Sequence, residues 1–439
     1  MARPALPRNP KPDQSARISG LPQKEEVTMS HRPEHEYERP PLCHVLVLVA
    51  LVSCLNVCGQ DAFSGKEFDR IHSQLQLDMD APWRSIPWQT SLLKAQSIAA
   101  KERKPIFVWA MNGNPLGCTC INGLHNRESN FANPEIVELI RTQFIPVGID
   151  ISRRKRQTDA EGRFYRKITE QGPRDIYTQT TQGLYVAAPD GAFLGYNNTH
   201  FPKQVIGMLR TALEDYEPAS VSGIEPGKPD SRFNRNGLTP PKGGFVARVG
   251  AKVLGGYPRL PADLAYWEKD THAIMREAIG RDNLWVRADE KLALQRGQFP
   301  KSLLTRLTLC NLVDNTHTHA PIWRLDEIIE MESSLKSGKF HAKIRLATMS
   351  KDRSYDANLI GHVEFKGSQI TRFDIVAKGD YHWSKMAFLG KHAAPKDSAY
   401  YGPPAGKYPL AIAFSLALGD SPSDRIPPHW LRSGPAYLK

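Results

Sequence analysis

The sequence is poor in cysteine and lacks the short motifs that mark several large enzyme classes. Six cysteines occur among 439 residues, too few for a fold that depends on a dense disulfide framework. The glycine-rich stretch at residues 243–256 has neither a G-x-G-x-x-G spacing nor a Lys-Ser or Lys-Thr ending, and no G-x-S-x-G occurs in the chain. A phosphate loop, a dinucleotide site and a serine-hydrolase nucleophile therefore have no sequence support.

The chain is basic, but its charge is not gathered into a patch. The formal net charge is +12, and the densest basic run is SRRKRQ at residues 152–157, a pattern typical of a solvated loop. Helix-turn-helix, zinc-finger and RNA-binding aromatic signatures are missing. The sequence therefore predicts no nucleic acid partner.

The apolar run near the N-terminus is too short to span a bilayer comfortably. Residues 45–57 are uncharged and largely apolar, a length typical of the apolar core of a signal peptide. We expect residues 1–60 to be a leader, with Met29 as a candidate true start. Cleavage after residue 59 would release a soluble mature chain. Alternatively, LVSC at residues 51–54 resembles a lipoprotein lipobox, in which Cys54 would carry the lipid anchor. The sequence thus predicts an extracytoplasmic protein, periplasmic or secreted, with possible membrane attachment through the leader or Cys54.

Export changes what the remaining cysteines indicate. Only Cys118, Cys120 and Cys310 lie outside the predicted leader. In an oxidising compartment, two cysteines this close together favour a redox-active or bridged pair. We expect Cys310 to be buried and inert.

Residues 82–217 alternate between patterns typical of helices and of strands. A helix ends before Pro105, the buried strand PIFVWA follows, and Asn133 and Pro134 begin a second clear helix. A further strand, a partly helical stretch, a hairpin around residues 189–191 and an amphipathic helix complete the order. Such alternation predicts an α/β sheet with helices on both faces.

A second domain follows a stretch with linker composition. Residues 218–244 are rich in Pro, Gly and Ser. Residues 245–439 predict helices followed by strands, with apolar side chains alternating along residues 340–346 and two strands around Gly367. The pattern favours an α+β domain rich in antiparallel sheet, and it indicates no particular reaction.

The first domain resembles the thioredoxin-like superfamily over roughly residues 82–217. The resemblance is carried by KPIFVWA, the cysteine segment NPLGCTCINGLHNRE, NPEIVELIRTQFIPVGID and GLYVAAPDGAFLG. The spacing here is Cys-x-Cys where the family has Cys-x-x-Cys. Gln182 and Gly183 stand at the place, facing the cysteines, where the family has Thr-Pro.

The resemblance implies thiol–disulfide exchange or redox sensing with a protein partner and no cofactor. In the family the cysteine pair opens a helix, whose N-terminus lowers the pKa of the first thiol. Cys118 would then be the nucleophile and Cys120 the resolving thiol. An extended pair two residues apart spans roughly 6.6–7.2 Å, while a disulfide needs Cα atoms roughly 4.4–6.8 Å apart, so a bridge requires a bend.

Two other functions stay open at the level of the sequence. The domain could be a non-enzymatic binding or scaffold module in which the cysteines are ordinary loop residues. A weaker alternative is a soft or borderline metal held by the two thiols with His125. His317 and His319 share a face if their segment is a strand, but no further ligand lies at a matching spacing, which favours a loop.

Overall fold

The structure is a computed structural model. It describes residues 63–76, 80–152, 157–218, 227–228, 239–257, 266–317, 321–384, 405–419, 421–429 and 437, with the side chains of 266–271 left out. The predicted signal peptide, Met29, Cys54 and His319 lie outside these residues, as do most of the predicted linker and most of the basic run. No helix within the described ranges combines the length and apolar character that crossing a membrane demands.

The first part of the chain forms a four-stranded mixed sheet. Its elements are α1 (Gly65–Gln74), α2 (Leu92–Glu102), β1 (Ile106–Met111), α3 (Ile121–Glu128), α4 (Pro134–Gln143), β2 (Ile145–Asp150), α5 (Ala160–Thr169), β3 (Gly183–Ala187), β4 (Phe193–Asn197) and α6 (Pro202–Glu214). The strand order is β2-β1-β3-β4. β1 pairs in parallel with β2 and antiparallel with β3, which forms a hairpin with β4.

Local sequence signals explain where these elements begin and end. The side chain of Ser91 caps α2 by accepting from the backbone N–H of Lys94, and α2 ends at Arg103, which has a left-handed conformation. Asn133 caps α4, with Pro134 at its first position. The strand, helix and hairpin predictions for residues 92–214 are confirmed, whereas α3 has no helical signal of its own.

Helices cover both faces of this sheet, as the alternation predicted. Phe107 and Trp109 of β1 point to a core formed with α4 and α6. Val108 points to the opposite core, formed with α2 and α5. β1 is therefore buried along its whole length. The cysteine segment follows directly after its carboxyl end.

The second part forms a seven-stranded antiparallel sheet. Its elements are β5 (Phe245–Val253), α7 (Tyr266–Glu277), β6 (Gly280–Val286), α8 (Ala288–Gln295), α9 (Lys301–Asn311), β7 (Ile328–Lys336), β8 (Lys339–Ala347), β9 (Arg353–Lys366), β10 (Gln369–Trp383) and β11 (Gly406–Leu416). The strand order is β6-β5-β11-β10-β9-β8-β7. The mixed helix and antiparallel sheet content confirms the expected α+β character.

The apolar alternation in β8 is confirmed by its burial. Phe340 and Ile344 are fully buried, while Lys343 between them is exposed. The inner face of the sheet packs against α8 and α9. α1 lies on the other face, where Phe68 and Ile71 pack against β10 and β11.

Residues 61–439 form one compact unit, and a C-terminal segment links the two sheets. Ile426 packs into the core of the four-stranded sheet. Arg84 donates to the Ser423 hydroxyl at 2.8 Å, and Arg248 of β5 forms a bidentate ion pair with Asp424. The predicted domain boundaries stay a prediction, but side chains from both parts meet here.

Candidate functional site

The segment between β1 and α3 folds back on itself because of one glycine. Gly113 has a φ of +83°, and a Cβ at this position would lie 2.4 Å from the carbonyl oxygen of Cys118. Gly113 pairs with Thr119 in an isolated antiparallel bridge. Only glycine tolerates both the backbone conformation and this close approach, so Gly113 places both cysteines at the carboxyl end of β1.

A buried arginine holds the tip of this loop. Arg127 of α3 donates to the carbonyls of Pro115 and Gly117, both at 2.6 Å. Its guanidinium lies 4.9 Å from the ring of Trp83. Gly117 packs against Ile426, whose terminal methyl group would lie 2.4 Å from a Cβ at position 117. The residues before Cys118 are therefore fixed from two sides.

The two cysteines have different surroundings. Cys118 is buried, with 5% of its surface exposed. Cys120 is partly exposed and is the N-cap residue of α3, with its carbonyl accepting from the N–H of Gly123 at 2.9 Å. The resemblance implied that the pair opens a helix, and it is the second cysteine that stands at the helix N-terminus.

Gln182 faces Cys120 from the segment before β3. The Cys120 thiol donates to Gln182 Oε1 at 3.7 Å, and Asn112 Nδ2 donates to the same oxygen at 3.2 Å. The backbone carbonyl of Asn112 accepts from the N–H of Cys120 at 2.9 Å. Gln182 therefore lies where the resemblance implied. Every peptide bond described is trans.

Tyrosine hydroxyls hold the segment that carries Gln182. Tyr165 donates to the Thr181 hydroxyl at 2.6 Å, and Tyr185 donates to the Thr181 carbonyl at 2.8 Å. Tyr196 donates to the Gln182 carbonyl at 2.9 Å. Burial raises the pKa of Tyr185 and of Tyr196, so both keep their protons and remain donors. The backbone beside Cys120 is thus rigidly positioned.

The Cys120 thiol is protonated at rest. Burial raises its pKa, although hydrogen bonds involving the backbone of Gly123, Asn112 and Asn122 act in the opposite direction. The favourable position at a helix N-terminus is therefore outweighed by desolvation. Cys120 is therefore less acidic than an ordinary cysteine thiol.

The described cysteines are all unbridged. Cys120 has extended backbone angles, with φ −71° and ψ 168°, and Thr119 before it pairs with Gly113. A bridge between Cys118 and Cys120 would therefore require this short segment to bend. Cys310 is buried, as expected, and burial raises its pKa to about 12.

The candidate metal ligand His125 lies inside α3 and is buried. Its ring packs edge-on against that of His200, with centroids 5.0 Å apart. Across the parts of the chain that the structure describes, no group of three or more His, Cys, Asp or Glu side chains is arranged to hold a metal ion. The metal alternative thus has no ligand set among these residues.

The second part contains a buried polar cluster around Asp314 that no sequence motif indicates. Asp314 accepts hydrogen bonds from the hydroxyls of Tyr257, Tyr408 and Thr316 at 2.5, 2.8 and 2.8 Å. His317 Nε2 lies 3.9 Å from Asp314, and burial lowers the pKa of His317. Tyr257 and Tyr408 lie far from residues 314–317 in the sequence, so no local pattern could have indicated the cluster. Its side chains are buried, and the hydrogen bond from Tyr408 connects residues 314–317 to β11.

The cysteine segment therefore combines a partly exposed cysteine at a helix N-terminus, a buried cysteine two residues before it and the Gln182 carboxamide facing Cys120. Comparisons of the chain with protein-family models, with curated proteins and with solved structures found no match.

Proposed function

We propose that residues 82–217 form a thioredoxin-like domain that performs thiol–disulfide exchange with a protein partner outside the cytoplasm. The observation that carries the proposal is the position of Cys120. Cys120 is a partly exposed residue at the N-terminus of α3, just beyond the carboxyl end of β1, with Cys118 two residues away. The order of helices and strands on which the family resemblance rests supports the same assignment.

Cys120 is the attacking thiol in this proposal, and Cys118 is the resolving thiol. This order reverses the one implied by the family resemblance. It is supported by exposure, because Cys120 is partly exposed as a residue whereas Cys118 is 5% exposed. It is also supported by the helix N-terminus, which stabilises a developing thiolate on Cys120 and not on Cys118.

The exchange proceeds in two balanced steps. The Cys120 thiol loses its proton, and the thiolate attacks one sulfur of a partner disulfide. The second partner sulfur leaves as a thiolate and takes up a proton, which gives a mixed disulfide. Cys118 then loses its proton and attacks the Cys120 sulfur, releasing the first partner sulfur, which is protonated in turn. Two electrons have then passed to the partner. In the reverse direction, the same steps oxidise a partner dithiol.

The extended geometry of the segment favours the reduced state of the pair. A bridge two residues apart needs a bend at Thr119, which would break its pairing with Gly113. Strained disulfides are more easily reduced and have more oxidising potentials. The bridged form would therefore transfer its disulfide readily to a partner dithiol.

A redox titration of the full chain tests the proposal. Thiols are trapped by alkylation, and the peptide that contains both cysteines is quantified by mass spectrometry. We expect reversible bridging at a poise of roughly −200 to −100 mV, the range of catalytic oxidising pairs. If the two thiols titrate independently at every poise, the exchange proposal is wrong.

Single substitutions test the order of the two thiols. Cys118→Ser keeps the attacking thiol and removes the resolving one, so it should accumulate a mixed disulfide with a small aromatic disulfide or a glutathione disulfide probe. Cys120→Ser should form far less of it. The reverse outcome would restore Cys118 as the nucleophile.

The second candidate is a binding module on the same fold, in which the cysteines do no chemistry. It is favoured by the protonated resting state of Cys120. Partner binding that is unchanged in both Cys118→Ser and Cys120→Ser, together with independent thiols in the titration, would support this candidate.

A further inference from the structure

We propose that Gln182 is a positioning residue that Asn112 orients so as to keep Cys120 protonated, and that a partner activates the thiol by displacing the Gln182 carboxamide. This inference rests on the proposed exchange reaction, since it describes the regulation of the same thiol. It concerns the protonation of one sulfur, however, and can be tested without any redox turnover.

The orientation of the Gln182 carboxamide is the first step of the argument. A carboxamide can present either an acceptor oxygen or a donor NH2 group. Asn112 Nδ2 donates to Gln182 Oε1 at 3.2 Å, which selects the orientation with the oxygen inward. The same oxygen is the atom that faces Cys120 Sγ at 3.7 Å.

An inward oxygen favours the thiol over the thiolate. The S–H group can donate to a carbonyl oxygen, whereas a thiolate would face the negative end of the carboxamide dipole. A hydrogen bond to the neutral form of an acid disfavours its ionised form. Gln182 therefore adds to the effect of burial, which already raises the pKa of Cys120.

Asn112 is itself fixed at the end of β1. Its backbone carbonyl accepts from the N–H of Cys120 at 2.9 Å and from the Thr119 hydroxyl at 3.3 Å. Its amide nitrogen also lies 3.5 Å from the Thr180 hydroxyl, as donor to acceptor. The donor that orients Gln182 is thus held in place by the cysteine segment.

The side chain of Gln182 can move while its backbone stays. The backbone carbonyl is held by the Tyr196 hydroxyl, and a Cβ on the following Gly183 would lie 2.4 Å from the Tyr196 ring. Gln182 as a residue is only partly buried, so its carboxamide can rotate into solvent.

Charged and titratable groups lie on the elements that surround Cys120 and Gln182. On β2, Asp150 accepts from a backbone N–H of the cysteine loop at 3.3 Å. Arg174 donates to the Tyr196 hydroxyl at 3.0 Å, and His125 lies along α3 beyond its first turn. Burial raises the pKa of Cys120, and hydrogen bonds with the backbone of Gly123, Asn112 and Asn122 and with the Thr119 side chain lower it.

The experiment compares two replacements of Gln182 that act in opposite directions. Gln182→Met keeps the length of the side chain and removes the carboxamide oxygen. Gln182→Glu keeps an inward oxygen and adds a negative charge. Each is placed in the full chain with Cys118→Ser, and the rate of iodoacetamide alkylation of Cys120 is followed by mass spectrometry from pH 6 to 11, a range that spans ordinary thiol titration.

We expect Gln182→Met to shift the alkylation profile to lower pH, with a severalfold to about tenfold faster reaction near neutral pH, since one unit of pKa changes the thiolate fraction about tenfold. Gln182→Glu should shift the profile to higher pH. The exposed Gln179 in the same loop supplies the matched control, and Gln179→Met should leave the profile unchanged.

Shifts of both Gln182 variants in the same direction would indicate mere loosening of the site and would overturn the proposal, as would an unchanged profile in Gln182→Met. The redox titration separates this failure from failure of the exchange reaction. Opposite shifts without reversible bridging would support the positioning role and reject the exchange. Reversible bridging without opposite shifts would support the exchange reaction and reject the positioning role.

Discussion

Replacing Gly113 with alanine should displace the cysteine loop, because this residue meets two constraints at once. Its φ of +83° lies in the left-handed region, which costs an L-residue roughly 1–2 kcal/mol. The new methyl group would lie 2.4 Å from the Cys118 carbonyl oxygen and 2.8 Å from the Thr119 Cα. Backbone atoms cannot yield as a flexible side chain does, so the contact adds roughly 1–3 kcal/mol of overpacking.

The sum, about 2–5 kcal/mol, is a large share of the roughly 5–15 kcal/mol that stabilises a typical domain. Urea unfolding followed by tryptophan fluorescence should show a midpoint lower by about 1 M or more, given slopes of a few kcal/mol per M. Alkylation under native conditions should also reach Cys118, which is buried in the wild-type protein.

Gly207→Ala is the matched control for Gly113→Ala. Gly207 lies in the interior of α6, and a Cβ there would have no atom within 4 Å. The same substitution should therefore stabilise the protein by roughly 0.5–1 kcal/mol through helix propensity. If Gly113→Ala is as stable as the wild type and Cys118 stays protected, the described loop geometry is wrong.

Three further predictions concern residues outside the loop. Ile426→Ala should lower the free energy of unfolding by roughly 2–5 kcal/mol and Ile426→Val by roughly 0.5–1.5 kcal/mol, because Ile426 is 1% exposed in the core of the first sheet; equal urea midpoints would show that this packing is absent. Arg306→Met should lower the free energy of unfolding by at most roughly 3–5 kcal/mol at neutral pH, because Arg306 pairs with the buried Glu290 at 2.5 Å while Arg287 stays 3.3 Å from the same carboxylate, and Glu290→Gln in the same background should recover part of the loss. Burial lowers the pKa of His317 below 6.5, so wild-type stability should be complete above pH 6.5 and decrease as the pH falls below it; a His317→Gln protein with the same pH dependence would contradict this.

The elements that the sequence predicted are those whose stability has local causes. α4 follows from the Asn133 cap, the proline after it and one apolar face. β8 follows from strict alternation along residues 339–347. In both cases the local preference and the tertiary structure agree, so the pattern alone was sufficient.

β6 shows why other elements could not be predicted. It begins with Gly-Arg-Asp-Asn, a composition typical of a turn, yet it is buried throughout. Its polar side chains find distant partners: Arg281 donates to the Leu75 carbonyl, and Asn283 donates to the Ile426 carbonyl. These partners are far away in sequence, so the local pattern indicates the wrong structure.

The site shows the same division between local and distant causes. The resemblance indicated that Gln182 faces the cysteines, and the structure places Gln182 Oε1 at the Cys120 sulfur. The resemblance implied a helix that begins at the cysteines, but the residues of α3 gave no local signal for it, because Gly123 and the asparagines of this segment are weak helix formers. Arg127 compensates by bonding back to the Pro115 and Gly117 carbonyls.

The Cys-x-Cys spacing is more than a shortened form of Cys-x-x-Cys, because it changes which sulfur stands at the helix. The bond from the Cys120 N–H to the Asn112 carbonyl fixes where the loop closes, and α3 begins immediately afterwards at Ile121. Cys118, two positions earlier, then lies in the turn next to Gly113 and is buried. The same turn places Cys120 at the start of α3. Since residue exposure and the helix N-terminus both favour Cys120, the spacing accounts for the exchange of roles that we propose for the two thiols.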